Sequence, residues 1–349
     1  MDITRWVRKS VRGMATPEYG GPAAGVLRLD ANTNILGQNP AVRAVARHAA
    51  ALEVNQYPSG NSDPLREALS DLYRVPVGCI VVGNGSDEII DLCARAFLDP
   101  GSRVVYPSPS FVMYGFCGRV HLGRLVPVPL RDDWSLDVSR VLAARGRLTF
   151  VASPNNPTGN AFPDRDLARI ARKTRGIVVI DEAYAEFHGQ GWARKALSYP
   201  NVIAMRTLSK AYGLAGLRVG YAIARPEVAK QLLRVKAPFN VGTFAEAIAV
   251  EAVRDRSFMR RTVETVRRER PRLALALGRL GFHVWPSEAN FLLARSPIPA
   301  RTLLERLRKR GVLLKDMSRG PGLADCVRIT VGTAAAHRRF LMALENSLD

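Results

Sequence analysis

Cysteine is rare in this chain. There are four in 349 residues, Cys79, Cys93, Cys117 and Cys326, with no CxxC pair and no paired metal-site spacing. That excludes a disulfide framework, a dithiol redox motif and a zinc module, and a reducing cytoplasm is the expected compartment. No apolar run approaches the ~18 residues a membrane helix requires. Residues 1–12 mix charges with single apolar residues, so no secretory leader is expected. Internal repeats, low-complexity tracts and long flexible linkers are missing too. Acidic residues are few beside basic ones, 31 against 51, for a formal net charge of +20. Such a field attracts anions of any size. The densest basic cluster, Arg254, Arg256, Arg260, Arg261, Arg267, Arg268, Arg270 and Arg272, is interleaved with Phe258, Val263 and Val266. Phe258 is the one aromatic within it and no series of rings alternates with the arginines to stack on bases, so it reads as the solvated face of a helix and nucleic acid is not an expected partner.

What is present is an ordinary globular composition, 47% hydrophobic and 23% charged, over a length that predicts about two domains. Short apolar runs alternate with helical patterns, the signature of an α/β chain with a mostly parallel sheet. Ile89, Leu92, Cys93, Ala96 and Phe97 mark one face of a helix beginning near Ser86 and stopped by Asp99-Pro100-Gly101. Buried strands are predicted at 104–106, 148–152, 177–180, 202–206 and 217–222. A long helix over 257–280 follows, then strands at 283–285, 290–294 and 327–331 with helices near 301–310 and 334–347. The pattern therefore divides into a large central domain and a smaller C-terminal one.

Four segments carry polar residues at predicted strand ends, where open α/β sheets bind their ligands. Gly83-Asn84-Gly85-Ser86-Asp87 opens the well-patterned helix and suits a phosphate, or is an ordinary capped glycine turn. Ser153-Pro154-Asn155-Asn156-Pro157-Thr158-Gly159 is a rigid turn that could aim an Asn amide into a pocket, or a plain loop. Asp181-Glu182-Ala183-Tyr184 places an acid after a buried strand, where it needs a cationic or donor partner, or serves as a strand-end cap. Thr207-Leu208-Ser209-Lys210, followed by Gly213-Leu214-Ala215-Gly216-Leu217-Arg218, presents either a desolvated amine nucleophile or an exposed loop lysine. Together they have a joint logic. A phosphorylated pyridine aldehyde requires an amine for its Schiff base, a carboxylate for its ring nitrogen, a donor for its phenolic oxygen and a phosphate cradle. Lys210, Asp181, Asn156 and Arg218 supply those parts.

On these motifs, with Tyr57-Pro58, Glu186-Phe187 and the C-terminal Val327-Arg328-Ile329-Thr330-Val331-Gly332-Thr333, the sequence resembles the fold-type I pyridoxal-phosphate aminotransferases. Within them it is most similar to the histidinol-phosphate aminotransferase family. The resemblance spans nearly the whole chain. It implies an α/β fold with a large domain around a mostly parallel sheet of the seven-stranded type, plus a smaller α+β domain. It also implies pyridoxal 5'-phosphate as cofactor, a homodimer with active sites at the subunit interface, and no membrane association. The expected division is an N-terminal arm at 1–35 joining the small domain, a large domain at 36–250 and a small domain at 251–349.

Residue by residue, the resemblance implies Lys210 as the Schiff-base lysine and Asp181 as the partner of the ring N–H. Asn156 and Tyr184 are implied as donors to the phenolic oxygen, with Tyr184 counted among the catalytic residues beside Lys210 and Asp181. Gly85, Ser86, Asp87, Thr207, Ser209 and Arg218 are the implied phosphate cradle, reached by Tyr57 from the other subunit. Phe111 stands where the family usually has a stacking Tyr. Arg328 matches the arginine for the substrate's acidic group, with Lys315, Tyr19 and Asn34 as further substrate residues. The sequence departs from the family at Asn32-Thr33-Asn34-Ile35, usually Asn-Glu-Asn-Pro, at Pro17-Glu18-Tyr19, usually Pro-Tyr, and at Lys315, usually Arg. The expected reaction is transamination of histidinol phosphate with 2-oxoglutarate. The alternatives are an aminotransferase for another amino compound in a specialised pathway, or a related amino-acid phosphate decarboxylase. A cofactor-sensing DNA-binding regulator would need an added domain, for which the segment before Leu27 is too short.

Overall fold

The computed structural model describes residues 3–16 and 25–348. Strand β1 (Leu27–Arg28) comes first. The next seven strands form one sheet: β2 (Ile80–Asn84), β3 (Arg103–Ser108), β4 (Arg124–Pro129), β5 (Leu148–Ala152), β6 (Ile177–Asp181), β7 (Val202–Thr207) and β8 (Val219–Ala224). The order across it is β2-β8-β7-β6-β5-β3-β4, and only β8 runs against the others. The sheet is mixed and mostly parallel, as the alternation of runs and helices predicts.

Its inner strands β5, β7 and β8 are buried along their whole length because both faces are covered. Leu148, Phe150 and Ala152 pack with Ile89, Cys93 and Tyr114 on one side. Val151, Val178, Ile180 and Ala204 pack with Leu167, Ile170 and Ala171 on the other. Strands β2 and β4, and helices Asp63–Tyr73 and Thr243–Arg254, are absent from the sequence reading. The run at 217–222 begins its strand later than predicted, since Ala215–Leu217 is a 3-10 turn and Arg218 takes a left-handed φ of 53° before β8 starts. A continuous apolar run does not mark where such a turn ends and a strand begins.

The C-terminal part holds a second, antiparallel sheet ordered β12-β13-β10-β9, made of β9 (His283–Val284), β10 (Phe291–Arg295), β12 (Lys315–Asp316) and β13 (Cys326–Thr330). Beside it β1 pairs in parallel with β11 (Val312–Leu313). Leu29, fully buried, donates its N–H to Leu313 O and accepts from Thr330 N, so the segment after β1 is hydrogen-bonded to β11 on one side and β13 on the other. The helices Ser257–Arg279, Ala300–Lys309 and Ala334–Leu348 share this core through Val266, Leu273, Leu303, Leu307 and Phe340.

Much of the arginine cluster is engaged within the chain. Arg267 Nε donates to Phe187 O, Arg270 Nη1 to Ala289 O, and Arg268 and Arg272 flank the buried Glu269. Among the described residues no helix is long and apolar enough to cross a membrane, and no His/Cys/Asp/Glu group could hold a metal ion. The four cysteines are free and buried.

Candidate active site

The carboxyl ends of the parallel strands open onto a cleft of about 300 Å³. Asp181 is the last residue of β6, Thr207 the last of β7, and Lys210 follows in the next turn. The cleft is lined by Ser86, Asp87, Phe111, Asn156, Asp181, Tyr184, Thr207, Ser209, Lys210, Arg218 and Arg328. Asn32, Thr33 and Tyr114 also line it, and the sequence reading assigned them no place there.

Asp181 is 5% exposed. Its Oδ2 accepts from the Tyr114 hydroxyl at 2.5 Å and its Oδ1 from Ala183 N–H at 3.0 Å. Burial pushes its pKa up to about 6, against the pull of those two donors. A cation or N–H donor arriving from the cleft relieves that penalty, which is the chemistry of a protonated pyridine.

Burial, reinforced by the positive charge of Arg328, lowers Lys210 to about 8. Its Nζ donates to Ala31 O at 3.1 Å and lies 5.9 Å from the Tyr184 ring centre. Tyr184 accepts at its hydroxyl from Asn32 Nδ2 at 3.0 Å, which leaves the phenol proton to be given elsewhere. Asn32 itself sits at φ 53°, a conformation asparagine tolerates better than most residues, with its N–H on Thr330 Oγ1. Asn156 Oδ1 accepts from Arg328 Nη1 at 2.6 Å. That bond fixes the amide, so the Asn156 NH2 faces away from the guanidinium as a donor. Arg328 Nη2 donates to Asp30 O at 2.7 Å, and its Nε is buried without a partner.

The other end of the cleft is cationic and rich in donors. The helix Gly85–Phe97 starts here, and Glu88 Oε2, one turn in, accepts from the Asn84 N–H. The first N–H groups of the helix have no intrahelical partner, which makes its start an anion site. Neither Ser86 nor Asp87 caps the helix; both lie in its first turn. Arg218 Nη2 pairs with Asp87 at 2.9 Å, and a Cβ on Gly85, at φ 78°, would fall 2.5 Å from the same nitrogen. Thr207 Oγ1 donates to Ser209 Oγ at 2.9 Å. A phosphate at this end, a protonated ring nitrogen at Asp181 and an aldehyde near Lys210 match the donor set, so the residues present fit pyridoxal phosphate.

Three expected side chains among the described residues are not brought into the cleft. Asn34 Nδ2 donates to Thr262 Oγ1 at 2.9 Å and its Oδ1 accepts from Leu36 N at 2.8 Å, while Asn32 lines the cleft. Lys315 is exposed on β12 and outside the lining. Tyr57 is 82% exposed and stacks on Phe239, away from the cleft of its own chain. Tyr19 and Glu18 lie outside the described residues. The missed residue with the firmest contact is Tyr114, and no local pattern marks it, since it meets Asp181 across 67 positions of sequence.

Residues 24–344 match the family model described as aminotransferase class I and II. A histidinol-phosphate aminotransferase of Symbiobacterium thermophilum is 40% identical over 358 residues, covering 98% of each chain. Histidinol-phosphate aminotransferase 1 of Nostoc sp. is 37% identical over 351 residues, covering 99% of each. The crystal structure of histidinol-phosphate aminotransferase from Sinorhizobium meliloti in complex with pyridoxal-5'-phosphate superposes with a TM-score of 0.89 at 26% identity, covering 98% of this chain and 97% of that one.

Proposed function

The chain belongs to the class I and II aminotransferases, which makes it a pyridoxal-phosphate-dependent transferase, and from that premise we propose that it carries the amino group of histidinol phosphate to 2-oxoglutarate. The observation that supports the chemistry is the meeting of Lys210, Asp181 and Arg328 in one cleft that also holds a helix N-terminus. The donor is suggested by full-length relatives that carry that activity in their names.

Pyridoxal phosphate supplies an aldehyde that exchanges amines and a ring that accepts the electron pair left when a Cα–H bond breaks. The protein's own groups do the rest. The Ser86 and Asp87 N–H groups, the Thr207 and Ser209 hydroxyls and Arg218 would hold the phosphate. Asp181 would keep the ring nitrogen protonated, and Asn156 and Tyr184 would donate to the ring oxygen. Lys210 Nζ, with its neutral fraction increased by burial, is the group suited to take and return the substrate's Cα proton. Arg328, with an unused buried donor, suits a substrate acid.

The β12–β13 register sets Lys315 directly across from Arg328. Residues paired this way project from the same face of a sheet, so one cation lies deep and one at the surface beside it. That arrangement favours a donor with a distal phosphate. We place the enzyme in the cytoplasm as a homodimer, with Tyr57 serving the neighbouring subunit.

The test is an amino-donor screen of the purified holoenzyme with 2-oxoglutarate, following glutamate. Histidinol phosphate should be the best donor and histidinol a poor one. Lys315→Ala should weaken the phosphorylated donor and leave the glutamate half-reaction nearly unchanged. Equal turnover of phosphorylated and unphosphorylated donors would overturn the assignment in favour of an aminotransferase for another amine.

A further inference from the structure

Tyr114 is fully buried in the helix Met113–Val120, close to both the acid and the aromatic face of the cleft. Its ring lies flat on Phe150 of β5, centroids 4.7 Å apart at 4°. Phe111 meets the same ring edge-on, at 5.7 Å and 85°. The hydroxyl points at Asp181 Oδ2, 2.5 Å away.

We propose that Tyr114 is a positioning residue for the reaction: its hydroxyl holds the Asp181 carboxylate aimed at the cofactor's ring nitrogen, and its ring sets the pose of Phe111 against the same ring. The inference rests on pyridoxal phosphate occupying this cleft.

Two fixed donors, Ala183 N–H on Oδ1 and the Tyr114 hydroxyl on Oδ2, come from different elements and together stop rotation of the carboxylate plane. Tyr114 cannot swing away, because it is clamped on Phe150, whose strand is the direct neighbour of β6. The electrostatic surroundings make this donor matter. Asp87 from the helix Gly85–Phe97 and Glu182 on the same strand end both oppose a negative charge at Asp181. Lys210 supplies the opposite sign, and Tyr184 is a further titratable group facing it. Burial, with the Asp181 charge behind it, holds the Tyr114 phenol well above its ordinary pKa, so it stays a neutral donor throughout the working range. A hydrogen bond to the charged form of an acid favours that form. The rival view makes Tyr114 a core filler whose hydroxyl merely found an acceptor.

Tyr114→Phe separates the two, since it keeps both ring contacts and removes only the donor. Pyridoxal phosphate is titrated into apoprotein from about pH 5 to 9, a range that brackets Asp181 and Lys210, with binding read by tryptophan quenching. For a positioning residue, affinity near neutral pH falls about tenfold, the size of one hydrogen bond to a charged group. The acid limb of the binding profile, set by Asp181, moves to higher pH. In an Asp181→Asn background the Tyr114→Phe change has no further effect on the limb. If Tyr114→Phe does not fold, 3-fluorotyrosine placed at 114, nearly isosteric and a stronger donor, should move the limb to lower pH. An unmoved limb in the folded variant or in the fluorinated protein, or additive losses in the double variant, overturns the proposal. Failure of the parent protein to bind pyridoxal phosphate would instead overturn the cofactor reading beneath it.

Discussion

At Lys210, burial and a neighbouring guanidinium act in the same direction, both against the ammonium form. A lysine whose folded pKa is depressed lowers stability at pH values where it must be charged in the fold. That penalty fades as pH rises from about 8 toward the ordinary lysine value. Lys210→Met removes the titration. Thermal unfolding of the two apoproteins should therefore show the parent gaining stability relative to the variant between those limits, and a pH-independent difference would refute a buried ammonium. Arg328 gives a second test at this scale. Its two Nη groups hold Asn156 Oδ1 and Asp30 O at once, a reach no ammonium reproduces. Arg328→Lys should lower kcat/KM by roughly tenfold to a hundredfold in both half-reactions, since it frees the Asn156 amide as well as losing the fork. A loss confined to one half-reaction would contradict a shared acid site.

The start of the helix Gly85–Phe97 shows how one element serves another. Gly220, on β8, lies against it so closely that a Cβ there would collide with Ser86 N. Backbone cannot yield as a flexible side chain does, so Gly220→Ala must displace the first turn of the helix. The expected cost is about 1–3 kcal/mol of stability, typical of overpacking. It should come with a larger loss of affinity for pyridoxal phosphate than for unphosphorylated pyridoxal, because the displaced N–H groups serve only the phosphate. Equal losses for the two ligands would place the phosphate elsewhere. Many of the central elements are legible from local sequence: β5, β6 and β7 as apolar runs, Ser257–Arg279 as a helix of the predicted length. The edge strand β4 is not, because Arg124, Pro127 and Pro129 interrupt its apolar character and partial exposure removes the pressure to be uniformly hydrophobic.

At the scale of the whole molecule, the exposed large apolar side chains are the unbalanced feature. Tyr57 is 82% exposed and Val112 75%, with Phe239 and Phe116 above two-fifths. The proposed homodimer would cover them, and Tyr57 does not line the cleft of its own chain. Sedimentation should report a dimer. Mixed dimers of Tyr57→Ala and Lys210→Ala subunits should regain activity that neither parent has, because one of the two sites then combines an intact Lys210 with an intact Tyr57 from across the interface. Absence of complementation in dimers shown to be mixed would assign Tyr57 a role within its own subunit.

The sequence by itself determined the chemistry. An apolar run followed at once by an acid, as at Ile180 and Asp181, or by hydroxyls and an amine, as at Thr207 and Lys210, marks the exit of a buried strand, and that mark is local. Only the tertiary structure decided which of two asparagines faces the cleft. The segment after β1 is hydrogen-bonded through Leu29 to β11 and β13, and that pairing turns Asn32 to Tyr184 and sends Asn34 to Thr262. Tyr114 against Asp181 and Arg328 against Asn156 are decided the same way, across 67 and 172 residues. Strand order and packing bring such pairs together, and neither is written in the neighbourhood of the residues themselves.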